Sequence, residues 1–136
     1  MAQEGSPVNS IDLLSAAGVT ELAVANTDTA YSYSFPSRPG KSFGLLLKFS
    51  VSSGSPNVKV EVEQGQDRPG TEGSADTNNF AVGQSADCVI DSGANTTGLR
   101  FYPFPPIVAP YQRLKFTGLT GNAASTKVAI AKIFEV

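Results

Sequence analysis

The sequence predicts an all-β chain folded as an antiparallel β-sandwich, jelly-roll-like. Three observations predict it. Apolar and polar residues alternate over short runs. Clusters of Gly, Pro, Asn and Ser separate those runs. No 3.6-residue apolar period persists long enough for a sustained helix. The pattern gives about eight strands in one domain at 19–136, preceded by an extended N-terminal arm at 1–18. A length of 136 residues suits one domain. Area scaling for such a chain buries about 65–70% of the unfolded surface, enough for a core without metal or disulfide staples.

The arm opens with "MAQEGSP", which is polar and aperiodic. "SIDLLSAAG" then places Ile11, Leu13 and Leu14 between an N-cap, Ser10, and a stop, Gly18. One reading is a frayed tail with a local helical turn. The other is an arm that orders on a neighbouring protein, with Ile11, Leu13 and Leu14 as apolar pegs.

The strands follow in order. "VTELAVA" alternates, with Leu22 and Val24 on one face. "TAYSYSF" puts Tyr31, Tyr33 and Phe35 opposite Ser32 and Ser34. "RPG" at 38–40 turns the chain. "SFGLLLKFSVS" sends Phe43, Leu45, Leu47, Phe49 and Val51 inward. Leu46 is apolar on the other face, which marks a central strand. "VKVEVE" points Val58, Val60 and Val62 inward and Lys59, Glu61 and Glu63 to water, and pairs with its predecessor as a hairpin. "ADCVID" and "LRFYPF" are short strands. "YQRLKFTGL" turns Leu114 and Phe116 inward and Arg113, Lys115 and Thr117 outward. "TKVAIAKIFEV" closes the chain with Val128, Ile130 and Phe134 on one face, which Lys132 interrupts.

Two stretches break the pattern. Residues 64–85, "QGQDRPGTEGSADTNNFAVGQS", form an aperiodic loop long enough to be functional or mobile. Asp67, Arg68 and Glu72 are its candidate contact residues. "FYPFPPIVAPY" carries Pro103, Pro105, Pro106 and Pro110. It lacks the amide donors of a central strand and is pushed toward polyproline II. It is either a rigid crossover over an open end of the core or a pre-stiffened contact patch. In the second case Tyr102, Phe104, Ile107, Val108 and Tyr111 meet a subunit or shell.

Composition excludes several chemistries. The chain has no His, so Ser-His and Cys-His nucleophiles and the common zinc sites are ruled out. Asp67, Glu72 and Asp76 match no calcium-loop spacing and read as solvated carboxylates. Asp87 and Asp91 on one strand face would stand roughly 13 Å apart, too far for paired-carboxylate glycoside chemistry. Cys88 has no basic neighbour in sequence and reads as a small buried hydrophobe. "NTT" at 95–97 reads as a turn. No catalytic residue, cofactor or metal is expected.

The ten basic residues are scattered, which argues against nucleic acid as a partner. No apolar stretch approaches the ~20 residues of a membrane span, and the N-terminus lacks the features of a secretory signal. A single cysteine fits synthesis in a reducing cytoplasm. Charged residues are 16% of the chain, below the usual quarter. The exterior is therefore built from Ser, Thr, Asn, Gln and Gly, as suits broad contact with other protein.

"PYQRLKFTGLTGNAASTKVAIAKIFEV" (Pro110 to Val136) resembles the ending of small β-rich virion proteins of tailed phages. "SFGLLLKFSVSSGSPNVKVEVEQG" (Ser42 to Gly65) is similar to their central hairpin. The resemblance is to capsid decoration, or cement, proteins, with other virion parts such as tail or head-fibre components as relatives in pattern. It implies a β-sandwich, often trimeric, made in the host cytoplasm and located on the capsid exterior. There it would bridge copies of the major capsid protein or another virion protein. A carbohydrate-binding β-sandwich is the alternative, weakened by the absence of Trp.

Overall fold

Leu45, Leu47 and Phe49 alternate along one strand and Val58, Val60 and Val62 along another, and all six are buried. Each run therefore has one apolar face, and the two apolar faces close on each other. The computed structural model describes residues 10–14, 20–38 and 42–136. Its described residues form eleven strands and one 3-10 turn. The strands are β1 (Ser10–Asp12), β2 (Leu22–Ala23), β3 (Thr29–Tyr31), β4 (Phe35–Pro36), β5 (Phe43–Ser50) and β6 (Val58–Gly65). They continue with β7 (Phe80–Val82), β8 (Val89–Ala94), β9 (Arg100–Pro103), β10 (Tyr111–Gly118) and β11 (Lys127–Glu135).

Two antiparallel sheets make a β-sandwich. Sheet A has the order β1-β11-β5-β9, with β2 also on β11. Sheet B has the order β3-β10-β6-β7, with β4 on β10 and β8 on β6. Between them lie Leu45, Leu47, Phe49, Val128, Ala131 and Ile133 from sheet A. They face Val58, Val60, Val62, Leu114 and Phe116 from sheet B. Phe49 and Phe116 meet edge to face across the layers, centroids 6.2 Å apart. Each fully buried side chain of this kind contributes about 1.5–3 kcal/mol.

The eight expected strands are present, with short additions. The expected hairpin of β5 and β6 is corrected. β5 pairs with β11 and β9 in sheet A and β6 with β10, β7 and β8 in sheet B, so the two face each other across the core instead of sharing a ladder. β1 lies inside the expected arm, β7 inside the long loop, and the Tyr31–Phe35 run divides into β3 and β4. That division has a polar cause. Ser32 Oγ accepts from Leu114 N (2.9 Å) in place of a regular ladder bond. The backbone of Ser34 turns away to Glu72 and Arg68. Phe35 consequently enters the core while Tyr31 and Tyr33 stay half-buried on the outer face of sheet B.

The last strand corrects a predicted face. Val128 pairs with Phe49, but Ile130 pairs with the next residue, Lys48, so Ala129 is an extra residue in a bulge. Beyond it the alternation reverses. Ala131 and Ile133 are buried, and Ile130, Lys132 and Phe134 share the outer face. Lys132 therefore interrupts no buried row.

Residues 1–9 and 15–18 of the expected arm, and 39–40 of the "RPG" turn, lie outside the described residues. Residues 10–14 are part of the sandwich. β1 pairs with β11, Ser10 opposite Phe134 and Asp12 opposite Lys132. Leu13 N donates to Ala131 O (2.8 Å) and Tyr33 N to Leu13 O (3.1 Å). This short segment thus bonds to elements of both sheets.

Candidate protein-contact surface

The proline-rich run connects β9 at the edge of sheet A to β10 in sheet B. Its fixed φ angles and missing donors suit a crossover rather than a ladder. Phe104 turns down onto Phe35 and Phe43, with centroids 5.6 and 6.2 Å away, all edge to face. Ile107 packs against the same core. Gln112, fully buried at the start of β10, donates to Ala109 O (2.6 Å) and Gln64 Oε1 (3.1 Å), tying the far end of the run down. Of the two readings, the geometry matches a crossover closing an end of the sandwich.

The five residues of the expected contact patch differ in exposure. Phe104 and Ile107 are half-buried against this chain's own core. Tyr102 is half-buried, and its hydroxyl donates to Asp91 Oδ2 (2.7 Å). Burial, then the bond to Asp91, pushes that phenol above its ordinary value. Arg100 Nη1 lies 3.7 Å from the same carboxylate, so Asp91 of sheet B links to two residues of β9. Tyr111 is half-buried beside the Arg68 guanidinium, 5.0 Å from its ring centroid. Val108 alone of the five is well exposed, at 78%.

The long loop lies on the outer face of sheet B and is used internally. Arg68 Nη1 donates to Ser34 O (2.9 Å), and Glu72 accepts from Ser34 N (2.9 Å) and Oγ (2.6 Å). Arg68 and Glu72 also face each other at 3.6 Å. Both residues anchor the loop, and Arg68 still keeps 41% of its side chain exposed. Asp67 is exposed and accepts from Arg68 N (2.8 Å). Asp76 gathers the loop, accepting from Gly70 N, Asn78 N, Asn79 N and Asn79 Nδ2 at 3.0–3.2 Å.

Beneath the loop lies a feature that alternation alone misplaces. Arg113 and Glu63 point to the outer face of sheet B as expected, yet both are buried. Arg113 Nη1 donates to Ser74 O (2.7 Å), and its guanidinium lies 4.1 and 4.5 Å from the Tyr31 and Phe80 ring centroids. Loop residues exclude the water that would otherwise solvate the pair.

Leu13 and Leu14 are buried in the chain's own core and Ile11 packs against it. Their assignment as pegs for a neighbour is corrected for this conformation, because an apolar side chain already removed from water gains nothing from a second partner. Cys88 is also buried; loss of solvation, first of all, raises its thiol above the ordinary value. Among the described residues, no group of three or more His, Cys, Asp or Glu is placed to hold a metal ion. Among the same residues, no helix is long and apolar enough to cross a membrane.

The exposed apolar surface lies on the outer face of sheet A instead. Phe101 on β9 is 73% exposed and stands opposite Leu46 of β5. Gly44 pairs with Phe134 on one side and Pro103 on the other. Val136 is 81% exposed at the chain end and Leu99 52%. A shallow groove of about 270 Å³ runs over Gly44 between Phe101, Phe134 and Val136. Leu46 signals this face in the sequence, since an apolar residue on both faces of a strand implies cover on both. The bulge at Ala129 hid the contribution of Phe134.

Neither protein-family models nor curated protein sequences give a match to this chain.

Proposed function

We propose that this is a non-enzymatic structural protein that works by adhesion: a β-sandwich, associating as a small homo-oligomer, that attaches to an assembled protein shell. The setting is a tailed-phage virion, where it decorates the capsid exterior and binds the major capsid protein or another virion protein. The observation that carries the adhesive reading is the apolar outer face of sheet A, where Leu46, Phe101, Phe134 and Val136 lie together and no other described element packs over them. Apolar faces of this kind mark interaction sites on soluble proteins. The capsid setting is supported by the resemblance of Ser42–Gly65 and Pro110–Val136 to decoration proteins. Repetition over a symmetric shell would turn modest individual contacts into firm attachment.

Co-sedimentation with assembled capsids of tailed phages tests this. The expected result is saturable binding at a fixed ratio to the shell subunit, weakened by Phe101→Asp. Protein that stays in the supernatant with every capsid tried would overturn the capsid setting.

A further inference from the structure

The inference rests on the adhesive reading above and adds a contact on the opposite face of the sandwich. We propose that Arg68, held against Tyr33 and Tyr111 on the outer face of sheet B, is a receptor for a carboxylate on an acidic segment of the partner protein.

The guanidinium is positioned before any partner arrives. Its Cζ lies 5.4 Å from the Tyr33 ring centroid and 5.0 Å from that of Tyr111, within cation–π range of both. Nη1 donates to Ser34 O (2.9 Å) and to Ser34 Oγ (3.1 Å). These contacts fix a long side chain, so little rotamer freedom remains to be lost on binding. The side chain nevertheless keeps 41% of its surface exposed.

Its other donors are uncommitted. Among the described residues, Arg68 Nε and Nη2 have no hydrogen-bond partner, and neither have the Tyr33 and Tyr111 hydroxyls. Glu72 does not saturate the guanidinium. Its oxygens accept from Ser34 N (2.9 Å) and Ser34 Oγ (2.6 Å), and its 3.6 Å approach to Arg68 Nη1 is too long for a hydrogen bond. The Nε–H and one Nη2–H form the planar fork that matches a carboxylate in bidentate geometry.

The surrounding charge selects among anions. Glu72 stands beside Arg68, and exposed Asp67 turns Oδ1 onto Arg68 N (2.8 Å). Two carboxylates next to one guanidinium disfavour phosphate, which needs several clustered cations. A singly charged planar group meets less repulsion and uses the fork. Tyr and Arg together are the residues enriched at the centres of protein interfaces, which points to an Asp or Glu side chain of a protein.

Nuclear magnetic resonance titration of the full chain tests this. The probe is N-acetyl-Gly-Glu-Gly-amide, with the Gln tripeptide as neutral control, both at constant ionic strength. The Glu tripeptide should shift the Arg68 Nε–H signal and the Ser34 and Tyr111 amides along one saturable curve. Half-saturation is expected at about 10 mM, as suits one charge-assisted contact. The Gln tripeptide should shift none of them. Arg68→Lys keeps the charge and loses the fork, so the same two amides should report binding at least about fivefold weaker. Asp67→Asn removes the exposed carboxylate beside the site and should tighten binding about twofold. No saturation by about 100 mM, equal shifts from the Gln tripeptide, or an Arg68→Lys chain that binds like wild type overturns the proposal. Capsid co-sedimentation keeps the two claims apart. Capsid binding without a response to the Glu tripeptide sinks the carboxylate receptor alone, and a response without capsid binding sinks the capsid setting alone.

Discussion

Arg113 Nε and Glu63 Oε1 lie 2.8 Å apart on adjacent strands of sheet B, with side chains only 1% and 8% exposed. An ion pair on the outer face of a sheet is ordinarily wet and worth little. This one is roofed by the loop through Ser74, so its energetics are those of a buried pair. Breaking it leaves the surviving charge without a partner and without water. Glu63→Ala or Arg113→Ala should therefore cost about 3–5 kcal/mol in urea unfolding. The double variant Glu63→Leu with Arg113→Met replaces both charges by apolar groups and should recover most of that loss. A single-variant cost below about 1 kcal/mol would mean that water reaches the pair.

Gly118 closes β10 where the Ala25–Asp28 turn passes. Its N–H donates to Asp28 O (2.9 Å) and Asn122 Nδ2 donates to Val24 O and Asn26 O, both 2.8 Å. A Cβ at Gly118 would overlap the Asn26 backbone carbonyl. Backbone cannot swing aside as a side-chain tip can, and Asn26 already holds a positive φ of 49°. Gly118→Ala should cost about 3 kcal/mol or more. Gly70→Ala, where nothing lies within 4 Å, should be close to neutral. The comparison is read from paired denaturation midpoints.

Asp76 organises the loop through its ionised form. The Asn79 side-chain amide, then the Gly70 backbone N–H, hold its carboxyl below the usual 3.8. A depressed folded value means that the ionised carboxylate favours the clasped loop. Its contribution is fully present above the unfolded value near 3.8 and is lost as pH falls through the lower folded value. Backbone amides of residues 70–79 should therefore exchange faster, beyond the intrinsic rate change, once pH falls through the lowered folded value, while those of β10 keep their protection. Asp76→Ala should produce the same local opening at neutral pH, seen as faster cleavage after Glu72 by a glutamate-specific protease. Unchanged exchange in either case would show that the loop is held by its other anchors.

Much of the sandwich was readable because side-chain alternation reports one dry face per strand. Val58, Val60 and Val62 and the pair Leu114 and Phe116 are buried as their spacing requires. Periodicity does not report what a loop does after it leaves the strand. Arg113 and Glu63 have the spacing of wet residues, and their burial depends on an aperiodic segment folding back over them. The bulge at Ala129 carries no glycine, so nothing local marks the reversal that moves Ile133 inward and Phe134 outward. For the candidate surface, Leu46 was informative: β5 is central in its sheet, between β11 and β9. Its outer face is nevertheless uncovered within the described residues of one chain. The proline content marks the run as stiff. Stiffness alone did not reveal whether Phe104 faced a partner or the core.

The sharpest reversal concerns Leu13. As a peg for a neighbouring protein it would tolerate a polar substitution in the free chain, losing attachment alone. In the sandwich it is wholly buried, its N–H bonds to β11 and its carbonyl accepts from Tyr33. Leu14 is likewise buried, and its N–H donates to Asp12 Oδ1 (2.9 Å) in a local turn. Leu13→Ala removes apolar contacts from a core that collapses only partly around the space, which costs about 2–5 kcal/mol. Leu13→Asp with Leu14→Asp adds buried carboxylates and should abolish cooperative unfolding or lower its midpoint steeply. Thermal melting followed by circular dichroism checks both. The decisive comparison is with Phe101→Asp, which should change association and leave melting alone. If the leucine variants melt like wild type, the segment leaves the core at little cost, and an arm that reaches a neighbour returns as the better account of residues 10–14.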